Sequence, residues 1–347
     1  MRCLHRQSGL LAVIVWCSVI LAGCGGEAHR HRPAVGQPSP SAATPFRFFS
    51  PRSFWNEPIP ANASVDPNSA RMIAALDAVV RSEVRRKNGP WIDAGTDGVP
   101  IVTVTADQPS TSVILDRSGT TNPAISAAWR SVPLPSDAEP SPGEHDLAVW
   151  QPSTDRMWEF FEMQRRNGHW MARWGGAMQH VSSNQGVYGP QAWPGGQTYW
   201  GVTASSLPLV GGAMTIRQLE SGHIDHALAL AIPDTRADLF ASPAERTDGT
   251  STSPSAVPEG ARLRLDPSLD LASLHLPPLT RMIAEAAQRY GIIIRDTGGE
   301  VTFFAQEPPR HSDVYAKLYG GLYPFQLLAA FPWSHLQVVK MDLHRGE

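Results

Sequence analysis

Leu147-Ala148-Val149-Trp150-Gln151-Pro152-Ser153-Thr154-Asp155-Arg156-Met157-Trp158-Glu159-Phe160-Phe161-Glu162-Met163 is the stretch on which the fold turns. Two apolar, aromatic-rich runs flank five residues of turn chemistry. The segment therefore predicts an antiparallel hairpin, with Gly143-Glu144-His145-Asp146 leading into its first strand. Side chains alternate along a strand, so Glu159, Phe161 and Met163 are expected on one face and Trp158, Phe160 and Glu162 on the other. Either carboxylate then shares its face with large apolar groups, which favours its acid form. The alternative is a strand-edge glutamate that meets water or pairs with Arg165 or Arg173.

The same texture continues outward from the hairpin. Residues 99–105, 111–115, 170–174, 227–232, 261–265, 291–295 and 301–305 read as short strands separated by Gly, Pro, Asn and Asp. Two helices stand apart from them. One follows Asp66-Pro67-Asn68-Ser69, carries Met72, Ile73, Leu76, Val79 and Val80 at helical spacing, and ends near Asn88-Gly89-Pro90. The other runs from Pro277 or Pro278 to Tyr290 and stops at Gly291. Thirty-one prolines argue against a helical bundle, and neither a βαβ rhythm nor an internal repeat is visible. The expectation is a mainly β fold: a single β-sandwich or jelly-roll-like domain over residues 46–347 with a few peripheral helices. Residues 235–260, dense in Ser, Thr, Pro, Asp and Gly, form a long surface excursion that is either functional or disordered.

The N-terminus carries an address. Arg2, His5 and Arg6 precede an apolar run from Leu10 to Leu21, and Leu21-Ala22-Gly23-Cys24 closes it. This looks like a bacterial lipoprotein signal, which implies removal of residues 1–23 and diacylglyceryl attachment to the Cys24 thiol. An ordinary secretory signal with an accidental Cys is the alternative. Residues 24–45 are poor in large apolar side chains and read as a flexible tether, and aromatic residues concentrate from Phe46 onward. The three cysteines, Cys3, Cys17 and Cys24, all fall within or at the end of the signal. The mature domain therefore has no disulfide, Cys nucleophile or thiolate metal site. A formal net charge of −3 and the lack of a basic stripe make nucleic acid an unexpected partner. The expected location is the outer face of a bacterial membrane, held by the lipid anchor.

Tryptophan is the chemical signal of the middle of the chain. Trp150, Trp158, Trp170, Trp174, Trp193 and Trp200 fall in one block with Tyr188 and Tyr199. Flat aromatic faces suit the CH faces of sugar rings, and an indole N–H can bond a hydroxyl. Some of these side chains belong to the core. Trp150, Trp174, Asn184, Tyr188, Trp193 and Trp200 are the substrate-binding candidates, with Trp193 and Trp200 favoured by their Gly/Pro-rich loop. Asn184 has a turn role as its alternative. His226, at the mouth of an apolar strand, is a candidate proton carrier. His223-Ile224-Asp225-His226 offers no third ligand by spacing, so no metal site and no cofactor are expected. Gly-x-Ser-x-Gly, Walker, Rossmann and His-Glu-x-x-His patterns are missing.

Five blocks carry a resemblance. They are Trp200-Gly201-Val202-Thr203-Ala204-Ser205-Ser206-Leu207-Pro208-Leu209-Val210-Gly211-Gly212, Glu220-Ser221-Gly222-His223-Ile224-Asp225-His226-Ala227-Leu228, Pro243-Ala244, Gly260-Ala261-Arg262-Leu263-Arg264-Leu265, and Tyr290-Gly291-Ile292-Ile293-Ile294-Arg295-Asp296. Together they resemble a largely uncharacterised family of exported proteins of actinobacteria and other soil bacteria. The likeness spans roughly residues 144–299 and implies one continuous domain of β-sandwich type, but it carries no reaction and no catalytic residue. His145-Asp146 departs from the Asp-x-His order of the wider group.

The expected function is a lipid-anchored, exported, carbohydrate-active protein whose partner is a polysaccharide or other glycan. A glycoside hydrolase would draw its carboxylates from Asp146, Glu159, Glu162, Asp225 and Asp296, with Glu159 and His226 leading the catalytic candidates. A polysaccharide lyase would use His226 or Tyr188 as base, with Arg173 or Asn184 neutralising a uronate. A non-catalytic glycan-binding or envelope-scaffolding lipoprotein would use the same aromatics without an acid and base pair.

Overall fold

The computed structural model describes residues 47–117, 119 and 121–346. The signal, the tether, Cys24 and Phe46 lie outside the described residues. In chain order the elements are α1 (Ser69–Arg86), β1 (Trp91–Asp93), β2 (Ile101–Thr103), β3 (Val113–Leu115), α2 (Pro123–Ala128), β4 (Leu147–Gln151), β5 (Arg156–Phe161), β6 (Gln164–Arg166), β7 (His169–Ala172) and β8 (Trp174–Gln179). There follow α3 (Ile216–Ser221), β9 (Leu228–Ile232), β10 (Leu239–Ala241), β11 (Arg262–Leu265), α4 (Pro278–Arg289), β12 (Ile292–Thr297), β13 (Thr302–Phe304), α5 (Val314–Tyr319), α6 (Pro324–Ala329), β14 (Leu336–Val338) and β15 (Leu343–Arg345). The fold is mainly β, as the turn-rich texture predicts. None of the described helices is long and apolar enough to cross a membrane.

The hairpin forms as β4 and β5, antiparallel with Leu147 opposite Phe160 and Gln151 opposite Arg156. Pro152 starts a single 3₁₀ turn, and Asp155 closes it in the left-handed region at φ 53°. Its carboxylate also accepts the Ser182 N–H at 3.0 Å and the Ser182 hydroxyl at 2.7 Å, pinning the turn to the end of β8. Both predicted helices are present. α1 ends with Lys87 in the left-handed region, its N–H returned to Glu83 and Val84. α4 starts on Pro278, and Gly291 behind it has φ 88°.

The strands form sheets in the orders β1-β13-β9-β12-β11-β14, β2-β4-β5-β8, β3-β7-β6 and β10-β15. Parallel pairs occur in the three larger ones: β1 with β13, β9 with β12, β2 with β4, and β3 with β7. A jelly roll of antiparallel strands has no such pairs, and hydrophobic texture alone does not reveal strand direction.

The six-stranded sheet divides the interior. Leu228, Leu230 and Ile232 of β9, with Ile292 and Ile294 of β12, join an aliphatic cluster with Met72, Ile73 and Leu76 of α1 and Ile283 and Ala287 of α4. The alternate residues, Ala229 of β9 and Ile293 of β12, belong to a second cluster that holds Trp55, Trp129, Trp158 and Trp200. A period of two thus sends one strand's side chains into two cores of different character.

Candidate functional site

The site begins with a fault in β12. Ile294 pairs with Leu230, yet the next paired residue is Asp296, opposite Ala231, so Arg295 is an extra residue in the ladder. Strict alternation from Ile294 would send Asp296 into the aliphatic core. The bulge instead turns it to the side of Ala231, whose side chain lines a cleft. This cleft opens beyond the carboxyl ends of the parallel pair β9 and β12, the usual place for ligands in such sheets. It has a volume of about 1110 Å³.

Arg295 fills the gap below. Its side chain is 1% exposed, and Nη1 donates to the carbonyls of Leu209 at 2.5 Å and Gly211 at 3.3 Å. The guanidinium stacks 3.6 Å from the Phe304 ring centre. Burial lowers its pKa to about 10, while the fields of Asp296, Glu159, Asp146 and Glu144 work the other way. Even so lowered, Arg295 is a cation at neutral pH, placed among four carboxylates.

Two chain segments, the 235–260 excursion and β12, bring three carboxylates to one corner. Ligand oxygens of Asp248, Glu259 and Asp296 all lie within 4.8 Å of one another. Burial pushes Asp296 up to about 7, opposed by Arg295 and aided by Asp248 and Glu144. Burial likewise pushes Glu259 up to about 8, with Asp296 and Asp248 adding like charge. Thr297 donates its hydroxyl to Asp248 at 2.7 Å, and the Asp248 N–H reaches Glu259 Oε2 at 3.1 Å. Gly260, at φ 81°, lets the backbone pass so close to Ala241 that a Cβ there would sit 1.7 Å from its carbonyl oxygen.

A second carboxylate pair stands on the wall formed by the hairpin. Glu162 follows β5 in the left-handed region at φ 47°, which ends the alternation and lets Phe161 and Glu162 both line the cleft. Arg173 Nη1 donates to both Glu162 oxygens at 3.1 and 3.2 Å, an exposed strand-edge pairing. The Met163 N–H bonds the His145 carbonyl at 2.8 Å, holding Glu162 close to Glu144. The Glu144 carboxyl is raised by burial, then by Asp97, and it feels the charge of Glu162 as well. Behind it Asp146 is 8% exposed, its Oδ1 has no hydrogen-bond partner, and burial and Glu144 push its pKa well up. Asp93 is raised too, chiefly by burial, though its Oδ1 is occupied by the N–H groups of Gly95 and Asp97.

Trp91 and Trp174 supply indoles to the lining. Trp174 stacks on Tyr199 at 6.1 Å and 16°, and the Arg117 guanidinium lies 5.0 Å from its ring centre.

The cleft does not contain several residues expected there. Glu159 is fully buried and accepts from the Tyr188 hydroxyl at 2.6 Å and the N–H groups of Leu209 and Val210 at 2.9 and 3.1 Å. It fastens a loop to β5, and Tyr188 is spent on it. The same burial that was expected to tune Glu159 as an acid removes it from the cleft lining. His226 is on a separate small pocket with Trp55 and Asn56, and its ring nitrogens meet the Ala227 carbonyl at 2.8 Å and Gln218 Oε1 at 3.1 Å. Burial pushes its pKa down. Asp225 pairs with His223 at 3.3 Å, also outside the lining.

Among the aromatic candidates, Trp200 is completely buried, Trp150 is 6% exposed beside Phe48, and Trp193 packs edge-on against Trp158. Asn184 Oδ1 accepts the N–H groups of Gly186 and Val187, the turn role. Glu162, Arg173, Trp174 and Asp296 are the candidates that line the cleft, with Asp146 just behind its wall.

Sequence reasoning missed Trp91, Asp93, Asp97, Arg246, Asp248 and Glu259. The available signal was the polar excursion of residues 235–260, which supplies Arg246, Thr247 and Asp248 to the cleft and Glu259 to its carboxylate corner. Compared with protein-family models, with curated proteins and with solved structures, the chain matches none.

Proposed function

We propose that the chain is a lipid-anchored, exported glycan hydrolase that works in this cleft. The supporting observation is the juxtaposition of Glu144 and Glu162 on a wall whose cleft also carries Trp91 and Trp174. A glycosidase needs one carboxyl that holds a proton and a second carboxylate beside it. Glu144, raised by burial and by Asp97, protonates the glycosidic oxygen. Glu162, ion-paired to Arg173, serves as the base or nucleophile. The Trp91 indole packs on a sugar CH face and orients the chain of rings.

Hydrolysis fits better than elimination. The bases that a lyase would have used, Tyr188 and His226, are engaged elsewhere and do not line the cleft. The same indoles would serve a pure binder, and the carboxylate pair is what favours catalysis over it.

The test is reducing-end release by the full chain from a panel of envelope and environmental polysaccharides. Glu144→Gln and Glu162→Gln should each abolish turnover while retaining binding, and Trp91→Ala should weaken binding. A wild-type protein that binds a glycan without ever cleaving it supports the scaffold reading, and an unsaturated, ultraviolet-absorbing product supports the lyase. The anchor is tested separately. Cys24→Ala should move the protein from the membrane pellet to the soluble fraction, and unchanged pelleting of an unlipidated chain removes that part of the proposal.

A further inference from the structure

We propose that Asp248, Glu259 and Asp296 form a binding site for one calcium ion at the edge of the cleft. The donor set is all oxygen, the preference of a hard cation, and no histidine or cysteine belongs to the cluster. Oxygens held about 2.3–2.6 Å from one ion can stand no further than about 5 Å apart. The three ligand atoms, within 4.8 Å of one another, satisfy that limit.

A second observation points to a ligand. Glu259 is fully buried, and although the Thr247 hydroxyl bonds to its carboxylate, its Oε1 has no hydrogen-bond partner. A buried carboxylate oxygen left bare is costly unless something fills the position. Protein cations do not fill it. Among the described residues no ion pair joins Asp248, Glu259 or Asp296 to a basic side chain. Arg246 is the cation whose field reaches all three, but its Nε is given to Ser206 Oγ at 2.6 Å and its Nη2 to the Thr203 carbonyl at 2.9 Å.

The surrounding structure orients the ligands. Asp248 is held through Oδ1 by Thr297, whose own hydroxyl lies 2.5 Å from that of Thr235. Glu259 is held through Oε2 by the Asp248 N–H. Asp248 and Glu259 therefore each have a second contact that fixes their direction, the arrangement that tunes metal sites. Asp248 is exposed and lines the cleft with Asp296, so water or substrate hydroxyls can complete the coordination of calcium, which takes 6–8 oxygens. The site also gives the bulge in β12 a purpose, since that extra residue turns Asp296 toward Ala231.

The experiment needs no glycan, so its outcome is independent of the hydrolase reading. The full chain is stripped with chelator and titrated with calcium chloride by calorimetry and by thermal melting. One equivalent should bind, and millimolar calcium should raise the Tm. Asp248→Asn keeps the Oδ1 acceptor for Thr297 and should melt normally without calcium, but bind the ion at least tenfold more weakly. Asp296→Asn should do the same, and because these two ligands come from different segments, a folding defect in one leaves the other as a test. No binding by the wild type overturns the site. Equal calcium affinity in both variants and the wild type overturns it as well, by locating the ion elsewhere.

Discussion

The two sides of the six-stranded sheet obey different rules. On the helical side, Leu, Ile, Met and Ala from α1, α4, β9 and β12 make a core held by shape and area removed from water. On the tryptophan side, indoles pack around buried polar groups, and the holding is done by directed bonds. Glu159 accepts three donors, and Arg295 donates to two carbonyls there. An aliphatic interface can close completely. One built on carboxylates, arginine and irregular backbone leaves groups at its edge that face outward, and the cleft lies at that edge.

This contrast breaks most readily at Glu159. Glu159→Ala strands the Tyr188 hydroxyl and two backbone N–H groups in the interior. At about 1–3 kcal/mol for each unmet donor, the loss should reach roughly 3–9 kcal/mol in denaturant unfolding. A cost no greater than that of a surface substitution would show that the tryptophan side does not depend on directed bonds. Leu230→Ala is the counterpart on the helical side, where removal of a fully buried side chain should cost about 2–5 kcal/mol through lost contacts and a cavity. The distinguishing measurement is repair. Glu159→Gln should recover part of the first loss by retaining a carbonyl acceptor, while Leu230→Met should recover most of the second by refilling volume.

Glu83 sharpens the comparison because it is a carboxylate at the margin of the aliphatic side. Its Oε1 accepts the Val301 N–H at 3.0 Å, its Oε2 has no partner, and burial raises it from 4.5 to about 7. The folded state therefore binds the proton more tightly than the unfolded one. Stability from this group is complete below pH 4.5 and falls as pH rises through about 7. Glu83→Gln should consequently raise the Tm at pH 8 and change it little at pH 4, with a gain of at most about 3 kcal/mol at 1.36 kcal/mol per unit. An equal gain at both pH values would assign the effect to packing.

The smallest effect on stability is expected at Glu162. Its pairing with Arg173 is exposed, so Glu162→Gln should shift unfolding by less than about 1 kcal/mol while abolishing turnover. A large loss of stability would make that pair part of the structure and remove it from the proposed chemistry.

Local pattern determined much of this protein. The hairpin of β4 and β5, the strand segments on either side of it, and helices α1 and α4 are all written in apolar periodicity and turn residues, which act over a few neighbours. Strand direction and partner choice are not written there. β9 and β12 run parallel across a separation that includes β10, β11 and α4, and no short-range signal encodes that pairing.

The site divides in the same way. Glu162, Trp174 and Asp296 were legible as residue types suited to a cleft, and Glu144 lay within a segment already singled out. Glu159, Trp200 and His226 have the same chemistry but ended inside the fold, because exposure is decided by what packs on a face and not by the face itself. The gathering of Asp248, Glu259 and Asp296 depends on a single extra residue in β12, since a register shift of one reverses the side of the sheet a side chain occupies. Sequence supplied the carboxylates and the indoles. Tertiary structure chose which of them would meet, because that choice rests on long-range pairing and on a bulge that local periodicity does not reveal.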